Sequence, residues 1–486
     1  MPKTHRPLTV VALMLAMFMA AMEMTVVSTA MPTVISELGG IRLYSWVSTA
    51  YMLTSTVTVP IYGKLADLYG RKPIILVGIA LFLVGSMASG QAQTMNQLIA
   101  FRALQGVGAG AMQPIALTII GDIFTLEQRA KMQGLFGAVW GVAGLIGPLL
   151  GALIVRALSW RWVFYVNVPF GLAAAGILIF ALHETVDKKP HVLDIAGALV
   201  LSLAVVGLLI GSQGYHPAIL LSLSALVLFL FVVIERRAKE PLLPIDLFTQ
   251  RVMAVASATS ALTGGAMIAL VTYVPLFVQG AQGSSPTQAG VAIVPMVIGW
   301  PIASAISGRL LPQIGFRPLI RLGLFVTAVS GVMTPFLFQG GVSLVVVAAV
   351  SAMFGVGMGL ANTALIIAVQ SSVGWKQRGV ATASTMFFRT IGSTLAVGAM
   401  GGVLAASFEG SVSPELANKL LSPERRTLDP AVLSAVRSVL QSGLHAIWWI
   451  IAGLCVAAFV VSLLFPEIST DEASARMRPP TPEPAE

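Results

Sequence analysis

The chain has 486 residues, of which 56% are hydrophobic and 10% are charged, and its mean hydropathy is +0.88. A soluble protein of this length carries about a quarter charged residues, so the composition excludes an ordinary soluble domain. The net charge of +9 resides on basic residues scattered over short loops, which is typical of a membrane protein and predicts no nucleic-acid partner. Apolar runs repeatedly exceed about 18 residues, the length that indicates a transmembrane helix.

The first apolar run follows a short basic lead, as in a signal peptide. It is longer than a signal peptide, Glu23 interrupts it, and no clear cleavage site follows, so we interpret it as the first membrane span. The single cysteine, Cys455, lies in the last apolar run and excludes an intrachain disulfide. No metal site is predicted.

The hydropathy pattern predicts fourteen spans, and an even number places both termini on one side of the membrane. The loops on the side of the termini hold sixteen Lys and Arg residues, and the opposite short loops hold three. The positive-inside rule therefore predicts cytoplasmic termini in a multi-pass protein of the cell (inner) membrane. The spans lie near residues 9–31, 43–62, 73–91, 96–120, 131–155, 161–182, 194–212, 217–235, 251–279, 289–311, 319–339, 343–370, 379–406 and 444–465.

Three segments recur in order. GKLADLYGRKPIILVG at 63–78 aligns without gaps to GRLLPQIGFRPLIRLG at 308–323, an offset of 245 residues. GVGAG at 106–110 recurs as GVGMG at 355–359, and Gln128-Arg129 recurs as Gln377-Arg378, both at an offset of 249. Two homologous halves explain these echoes, and such halves with a site between them are typical of secondary transporters.

The predicted organisation has four parts. An N-terminal six-helix bundle spans 1–182, and two inserted helices with their flanking loops occupy 183–250. A C-terminal six-helix bundle spans 251–465 and carries an outer loop at 408–443, within which an amphipathic stretch predicts a short outer helix. The tail at 466–486 is predicted to be disordered.

These motifs resemble those of one large transporter family. GKLADLYGRK resembles the signature loop between helices two and three of the major facilitator superfamily, and RALQGVGAG at 102–110 resembles its fourth-helix motif. GLIGPLLGA at 144–152 resembles its fifth-helix antiporter motif. MEMTVVSTAMP at 22–32 and WRWVFYVNVPFG at 160–171 are similar to the fourteen-span drug:proton antiporter branch. The resemblance implies an all-α polytopic major facilitator fold, with two six-helix pseudo-repeat bundles and two inserted helices.

The sequence departs from the family pattern at two places. The acid of the first helix is usually Asp and is Glu23 here, and Pro312 stands where Asp67 would repeat in the second half.

The signature loop is predicted to form a conformational latch. The resemblance implies that Asp67 caps the thirteenth helix near Gly379 and that Arg71 pairs with Asp122, which would close the cytoplasmic side. An anion at a helix N-terminus is favoured by the free N–H groups and the macrodipole. The alternative is a merely solvated basic loop. The residues assigned to the latch are Gly63, Asp67, Gly70, Arg71, Lys72 and Asp122.

Glu23 is the only acid deep in a predicted span, and an intramembrane acid is a functional candidate because burying its charge is expensive. At 1.5 Å per residue it lies roughly 21 Å in from residue 9, and Arg102 lies roughly 9 Å from the outer start of helix four. Both therefore fall in the outer half of a core about 30 Å thick. We expect Glu23 to carry the proton with Arg102 modulating it; the alternative is a static ion pair.

Two further polar residues are candidates for the central cavity. Arg389 is a deep cation without an acid in its own half, and it could face the cavity, bind an anionic group or reach a backbone carbonyl. Asn167 follows an aromatic cluster that is interpreted as an interfacial belt, and the role of Asn167 is left open. The cluster consists of Trp160, Trp162, Phe164 and Tyr165.

The fifth helix carries a glycine stripe with a period of three to four residues, which lets another helix approach closely. The resemblance implies that this stripe is a sliding seam between the halves, with the tenth helix as its partner; ordinary glycine packing is the alternative. The residues of the antiporter motif are Gly144, Gly147, Pro148 and Gly151.

No GxxxxGK[ST] loop, HExxH or GxSxG motif is present, so the sequence predicts neither an ATP-driven pump nor an enzyme. We expect a cofactor-free, monomeric antiporter that uses the proton gradient to export amphipathic compounds by alternating access. Its partners would be amphipathic small molecules or lipids, protons and membrane lipids. The alternatives are a lipid or glycolipid exporter, a proton-coupled nutrient importer, and a membrane-embedded enzyme or sensor.

Overall fold

A computed structural model describes residues 4–38, 43–184, 194–212, 216–238, 240–408 and 429–468. These residues are almost entirely helical and contain no β-strand, which confirms the predicted all-α fold. The long helices are α1 (Arg6–Leu38), α2 (Tyr44–Tyr69), α3 (Arg71–Gly90), α4 (Met95–Ile123), α5 (Leu126–Ala157), α6 (Asn167–Ala181), α7 (Ile195–Ser212), α8 (Pro217–Glu235), α9 (Arg251–Leu276), α10 (Pro286–Ile314), α11 (Phe316–Leu337), α12 (Leu344–Ser372), α13 (Arg378–Phe408) and α14 (Pro430–Ser462).

Within the described ranges, eleven of these segments are long and apolar enough to cross a membrane. The helix α7 is a shorter apolar segment, and α2 and α5 are not among the eleven. The chain is therefore an integral membrane protein, while the count of fourteen spans stays a prediction.

The largest difference from the prediction concerns α14. The predicted span begins at residue 444, whereas the helix begins at Pro430 and continues unbroken to Ser462. The predicted separate outer helix is therefore wrong: its residues form the first turns of α14. Asp429 caps this helix by accepting the N–H of Ala431 at 2.8 Å, and Pro430 occupies the first turn, where a missing N–H costs nothing. The rest of the outer loop, 409–428, and the tail from 469 lie outside the described residues.

Several other long helices begin at side-chain caps. Thr94 caps α4 by accepting the N–H of Gln97, and Ser343 caps α12 by accepting the N–H of Val346. Ser285 forms a reciprocal capping box with Gln288 at the start of α10. These caps satisfy N–H groups that a helix end leaves unpaired.

The two halves repeat the same tight turn. Gly70 separates α2 from α3 with φ of 95°, and Gly315 separates α10 from α11 with φ of 79°. Side chains with a Cβ rarely adopt this conformation, so glycine is required at both positions. The positions are related by the 245-residue offset seen in the sequence.

The helix packing repeats as well. A Cβ on Gly106 would lie 2.3 Å from the Tyr51 carbonyl oxygen, and a Cβ on Gly355 would lie 2.2 Å from that of Met296. Gly106 and Gly355 differ by 249 residues, and Tyr51 and Met296 by 245. Both backbones thus approach so closely that only glycine fits, which is the small-residue packing of membrane helices. The pseudo-repeat inferred from the sequence is therefore present in three dimensions.

The halves meet along two lines: α5 packs on α10, and α2 packs on α13. The inserted helices α7 and α8 pack on each other, and α7 also contacts α2 and α13. We call one end of the molecule the terminal face. It holds the start of α1, the end of α6, the end of α14, and the turns after α2, α4, α10 and α12.

Candidate functional site

A cavity of about 270 Å³ lies between the halves. Its walls come from α1, α4 and α5 on one side and from α9, α10, α12 and α13 on the other. Most of the wall is apolar, with methionine, valine and aromatic side chains, which suits a site for amphipathic molecules. Trp140 and Trp300 contribute two indole rings to the wall.

Four polar side chains interrupt this apolar wall: Gln113, Gln133, Asn362 and Arg389. Arg389 is the only charged residue among those that line the cavity, and no described carboxylate lies within ion-pair distance of it. Of the alternatives left open for Arg389, the structure shows the one in which the residue faces the cavity. The cavity carries a positive charge and no negative one on its described walls.

Glu23 lies elsewhere, inside the N-terminal half. It is 1% exposed and does not line the cavity. The Arg102 guanidinium donates to Glu23 Oε1 and, at 2.7 Å, to Gln105 Oε1. The Asn167 amide donates to Glu23 Oε2 and, at 3.0 Å, to the Ser86 hydroxyl. The ion pair that the matching depths suggested is thus present, with two amide groups around it.

The predicted position of Asn167 is wrong. The sequence placed it as a candidate for the cavity, whereas the structure buries it completely against Glu23. It starts α6, so its side chain points into the bundle formed by α1, α3 and α4 and never reaches the interface of the halves.

Aromatic rings enclose the other side of Arg102. Its guanidinium carbon lies 4.3 Å from the centre of the Tyr51 ring and 5.9 Å from that of Phe164. Phe164 and Trp160 are almost completely buried, so these two residues are not part of an interfacial aromatic belt. Trp160 instead donates its indole N–H to Glu37 Oε2 at 2.7 Å, which ties α1 to the segment before α6.

At the terminal face, Asp67 bridges the two halves. Its carboxylate accepts the N–H groups of Gly379 at 3.0 Å and Val380 at 2.7 Å, at the start of α13. This is the helix cap that the resemblance implied. Gly63, one turn earlier, makes the approach possible, because a Cβ there would lie 2.4 Å from the Cβ of Ala383.

Arg71 is the centre of the terminal-face cluster, which we define as Asp67, Arg71, Asp122, Glu184 and Arg378. It is 2% exposed and lies 3.1 Å from both Asp67 and Asp122. Asp122 also receives Arg378 of the second half, at 3.2 Å. The predicted pairing of Arg71 with Asp122 is present, and the opposite half adds a second cation. Arg71 further stacks on the ring of Trp375 at 3.9 Å and donates to its carbonyl at 3.0 Å.

Glu184 was not anticipated from the sequence. It accepts the backbone N–H groups of Arg71 at 3.0 Å and Lys72 at 2.9 Å, and so caps α3. Lys72, assigned to the latch, donates its ammonium group to the Ile179 carbonyl at 2.7 Å. It therefore holds α3 to α6 within one half and makes no described contact across the interface. Its loop position alone gave no signal for this partner.

The glycines of α5 serve two different neighbours. Gly134, Gly137 and Gly141 face α10, where added Cβ atoms would come within 3.0, 3.2 and 2.7 Å of its atoms. Gly147 and Gly151 face α1 instead, with added Cβ atoms 1.9 Å from Thr25 Oγ1 and 2.0 Å from Thr29 Oγ1. The expectation of one seam with the tenth helix is corrected: the antiporter motif packs within its own half.

Gly144, also part of the antiporter motif, adds no contact to the seam. A Cβ on Gly144 would meet nothing within 4 Å, and Pro148 lies inside α5, which continues to Ala157. Among the described residues, no group of three His, Cys, Asp or Glu side chains could hold a metal ion.

Comparison with known proteins identifies the fold. Residues 13–397 match the model of the Major Facilitator Superfamily. The chain is 40% identical to multidrug transporter protein MdtP of Bacillus subtilis (strain 168) over 413 residues, which cover 83% of this chain and 76% of that protein. It is 35% identical to multidrug resistance protein 3 of the same organism over 487 residues, 94% of each chain.

Solved structures share the architecture. The human organic anion transporter MFSD10 (TETRAN) superposes with a TM-score of 0.63 at 14% identity, covering 95% of this chain and all of that one. The proton:xylose symporter XylE superposes with a TM-score of 0.62 at 12% identity, covering 95% and 96%. Because the family match covers most of the sequence, the chain is a transporter rather than an enzyme, and it belongs to the major facilitator superfamily.

Proposed function

We propose that the protein exports amphipathic compounds by alternating access, driven by exchange with protons. The observation that carries the proposal is an apolar cavity built by both halves, with an ion pair and a helix cap joining the halves at the terminal face. Two relatives at 35–40% identity are named as multidrug transport or resistance proteins, which supports the same role here. The function needs no cofactor and is carried out by a monomer, with the proton gradient as the energy source.

The terminal face is cytoplasmic in this proposal, and the protein resides in the cell (inner) membrane. The excess of Lys and Arg in the loops of this face supports that orientation. The terminal-face cluster then closes the cavity toward the cytosol, as expected for a state that loads protons and releases substrate on the outer side. Breaking the cluster would open the same cavity to substrate from the cytosol or the inner leaflet.

The closure uses helix N-termini and buried charge. Asp67 supplies an anion to the start of α13, where free N–H groups and the macrodipole favour negative charge. Asp122 is held by cations from both halves, Arg71 and Arg378. Opening the face would separate Asp122 from Arg378 and Asp67 from the start of α13, while Arg71 would keep its carboxylates within the N-terminal half.

Glu23 is the proposed proton carrier. It combines deep burial with one cationic and one neutral partner, Arg102 and Asn167, and a protonated Glu23 would leave the Arg102 cation without its counter-charge. Because Glu23 does not line the cavity, protons must reach it through the interior of the N-terminal half. Protonation would thus act on substrate through movement of the bundle, not by direct contact.

The test compares two acids on the same helix. In liposomes with an imposed pH gradient, Glu23→Gln should lose uphill substrate export by at least about 100-fold, since the variant has no group to carry the proton. Glu37→Gln is the matched control, because Glu37 lies on α1 near the opposite face and is half-exposed. Its export should stay within about twofold of the unmodified chain.

A second readout separates coupling from folding. An entrapped pH dye should report proton movement when substrate is added to the unmodified chain and to Glu37→Gln, but not to Glu23→Gln. Normal gradient-driven export by Glu23→Gln would refute the proton assignment and leave the static ion pair as the role of Glu23. Proton movement in the same direction as substrate would instead indicate an importer.

A further inference from the structure

The central cavity holds a cation that no described carboxylate of the protein neutralises. Arg389 lines the main cavity, and it also lines a second, narrow pocket that adjoins the first. Every other charged side chain singled out above has a described partner: Arg71, Arg102 and Arg378 are all paired with carboxylates. Arg389 differs from them in its position, and none of the carboxylates in the described ranges pairs with it.

The stem of Arg389 is held in place from one side. A Cβ on Gly264 of α9 would lie 2.7 Å from Arg389 Cγ, so glycine leaves just the room that the stem occupies. On the helix itself, the Ser393 hydroxyl donates to the Arg389 carbonyl at 2.9 Å, one turn further along. The guanidinium is therefore presented to the cavity by a packed stem rather than by a free surface side chain.

Arg389 is half-buried, and a cation that is partly withdrawn from water without gaining a described counter-charge is costly. A carboxylate, sulfonate or phosphate group offers the two oxygen acceptors that match the guanidinium fork. The three amide side chains of the wall, Gln113, Gln133 and Asn362, can add neutral hydrogen bonds but no charge. The apolar remainder of the wall suits an aromatic or aliphatic body.

We propose that the cavity selects amphipathic molecules that carry an anionic group, with Arg389 as the residue that binds this group. The inference rests on the proposed export function and names its substrate class: anionic or zwitterionic compounds in preference to lipophilic cations. A lipophilic cation in the same cavity would face Arg389 at short range with no described acid to compensate. The cavity volume lies near the lower end of the range for small-molecule pockets, so the favoured ligand is a compact amphiphile rather than a two-chain lipid.

The test uses two probes that differ by one group. 1-Anilinonaphthalene-8-sulfonate carries a sulfonate on the skeleton of N-phenyl-1-naphthylamine, and both fluoresce in apolar surroundings. Trp140 and Trp300 in the wall allow binding to be followed by energy transfer from tryptophan to the probe. Measurements on the full chain in phosphatidylcholine nanodiscs should give tighter binding of the sulfonate by at least about tenfold, the range of a hydrogen-bonded charge pair.

Variants then assign the preference to Arg389. Arg389→Met should remove the preference for the sulfonate and leave the affinity for the neutral probe within about twofold. Arg389→Lys should retain most of the preference, and Asn362→Asp, which places a carboxylate on the same wall, should reduce it and favour tetraphenylphosphonium over tetraphenylborate. Arg317→Met is the control, since Arg317 is exposed at the terminal face and pairs with Glu467.

An unchanged ratio of the two probe affinities in both Arg389→Met and Asn362→Asp would overturn the inference. Phosphatidylglycerol added to the nanodiscs distinguishes the source of the anion: displacement of the sulfonate probe would assign the site to a lipid headgroup and overturn the preference for a compact ligand. Binding is measured here without a gradient. A chain that binds as expected but exports nothing would therefore refute only the proposed export function.

Discussion

The Asp67→Asn substitution tests the closure of the terminal face. Asn has the shape of Asp but no charge, and only one of its terminal atoms accepts hydrogen bonds. Asp67 is 3% exposed and accepts two N–H groups from α13, at 3.0 and 2.7 Å, in addition to its ion pair with Arg71. The substitution therefore removes charge from both contacts and one acceptor from the helix cap.

The loss of free energy in the closed state can be estimated from these contacts. Hydrogen bonds to charged groups contribute about 1.5–3 kcal/mol each against about 1 kcal/mol for neutral ones, and a partly buried charge at a helix terminus adds up to about 2 kcal/mol. Arg71 keeps Asp122 and Glu184, so it is not left unpaired. We expect the closed state to lose about 2–4 kcal/mol, which shifts the ratio of closed to open molecules by about 30- to 1,000-fold.

Spin labels at Lys131 and Gln377 can measure this shift. Both positions are exposed at the terminal face, in different halves and outside the terminal-face cluster, and the buried Cys455 is replaced by Ala to leave a cysteine-free background. The distance distribution of Asp67→Asn should gain a longer component. Asp246→Asn is the control, because Asp246 is an exposed acid on the short helix before α9. A distribution for Asp67→Asn that matches the unmodified chain would refute the proposed role of Asp67 as a latch.

Three further predictions concern stability, measured as the thermal midpoint in detergent. Gly147→Ala should destabilise the protein by about 1–3 kcal/mol because the added Cβ would overlap Thr25. Gly144→Ala has open space around the added Cβ and should be neutral or stabilising by up to about 1 kcal/mol. Equal midpoints for the two variants would contradict the packing of α5 on α1. Glu184→Gln should lower the midpoint by weakening two hydrogen bonds at the start of α3, and an unchanged midpoint would show that the cap is dispensable. Asp429→Ala should cost about 1 kcal/mol through the loss of the α14 cap; no change would indicate that α14 begins later.

The sequence predicted those contacts whose geometry follows from position along a span. Glu23 and Arg102 were matched by depth alone, since a fixed rise per residue converts sequence position into distance along the helix axis. The repeat was recognisable because the segment 63–78 and the glycines of α4 recur in the second half, and the structure repeats the turn at Gly70 at Gly315. Position along a span and repetition between the halves can both be found from the sequence alone, so these contacts were predictable.

Contacts that depend on the direction of a side chain around its helix were harder to predict. In a membrane, a helix is apolar on the side facing lipid as well as on the side facing protein, so polarity does not show which neighbour each face meets. Gly147 was therefore assigned to α10 although it faces α1, and Asn167 was assigned to the cavity although it contacts Glu23. The capping role of Glu184 required knowing that the end of α6 lies beside the start of α3.

The start of α14 was predictable but was missed. Asp429 followed by Pro430 is a helix-start pattern, since an acid caps the helix and proline fits its first turn. Hydropathy placed the boundary at the first strongly apolar residues instead. Hydropathy indicates the part of a helix that lies in the membrane, whereas capping residues indicate where the helix begins.

The positions of the charged residues support separate sites for proton binding and for substrate binding. Glu23, the proposed proton site, lies within the N-terminal half, and Arg389, the proposed anion site, lies on α13 of the other half. The same helix α13 begins at the N–H groups that Asp67 accepts, so Arg389 and the closure belong to one rigid element. In the proposed mechanism, an anion on Arg389 neutralises the cavity, and a proton on Glu23 deprives Arg102 of its counter-charge. Binding of the anion changes the free energy of burying charge in the C-terminal half, and protonation of Glu23 changes it in the N-terminal half. The helix α13 connects the anion site to the contacts that hold the terminal face closed.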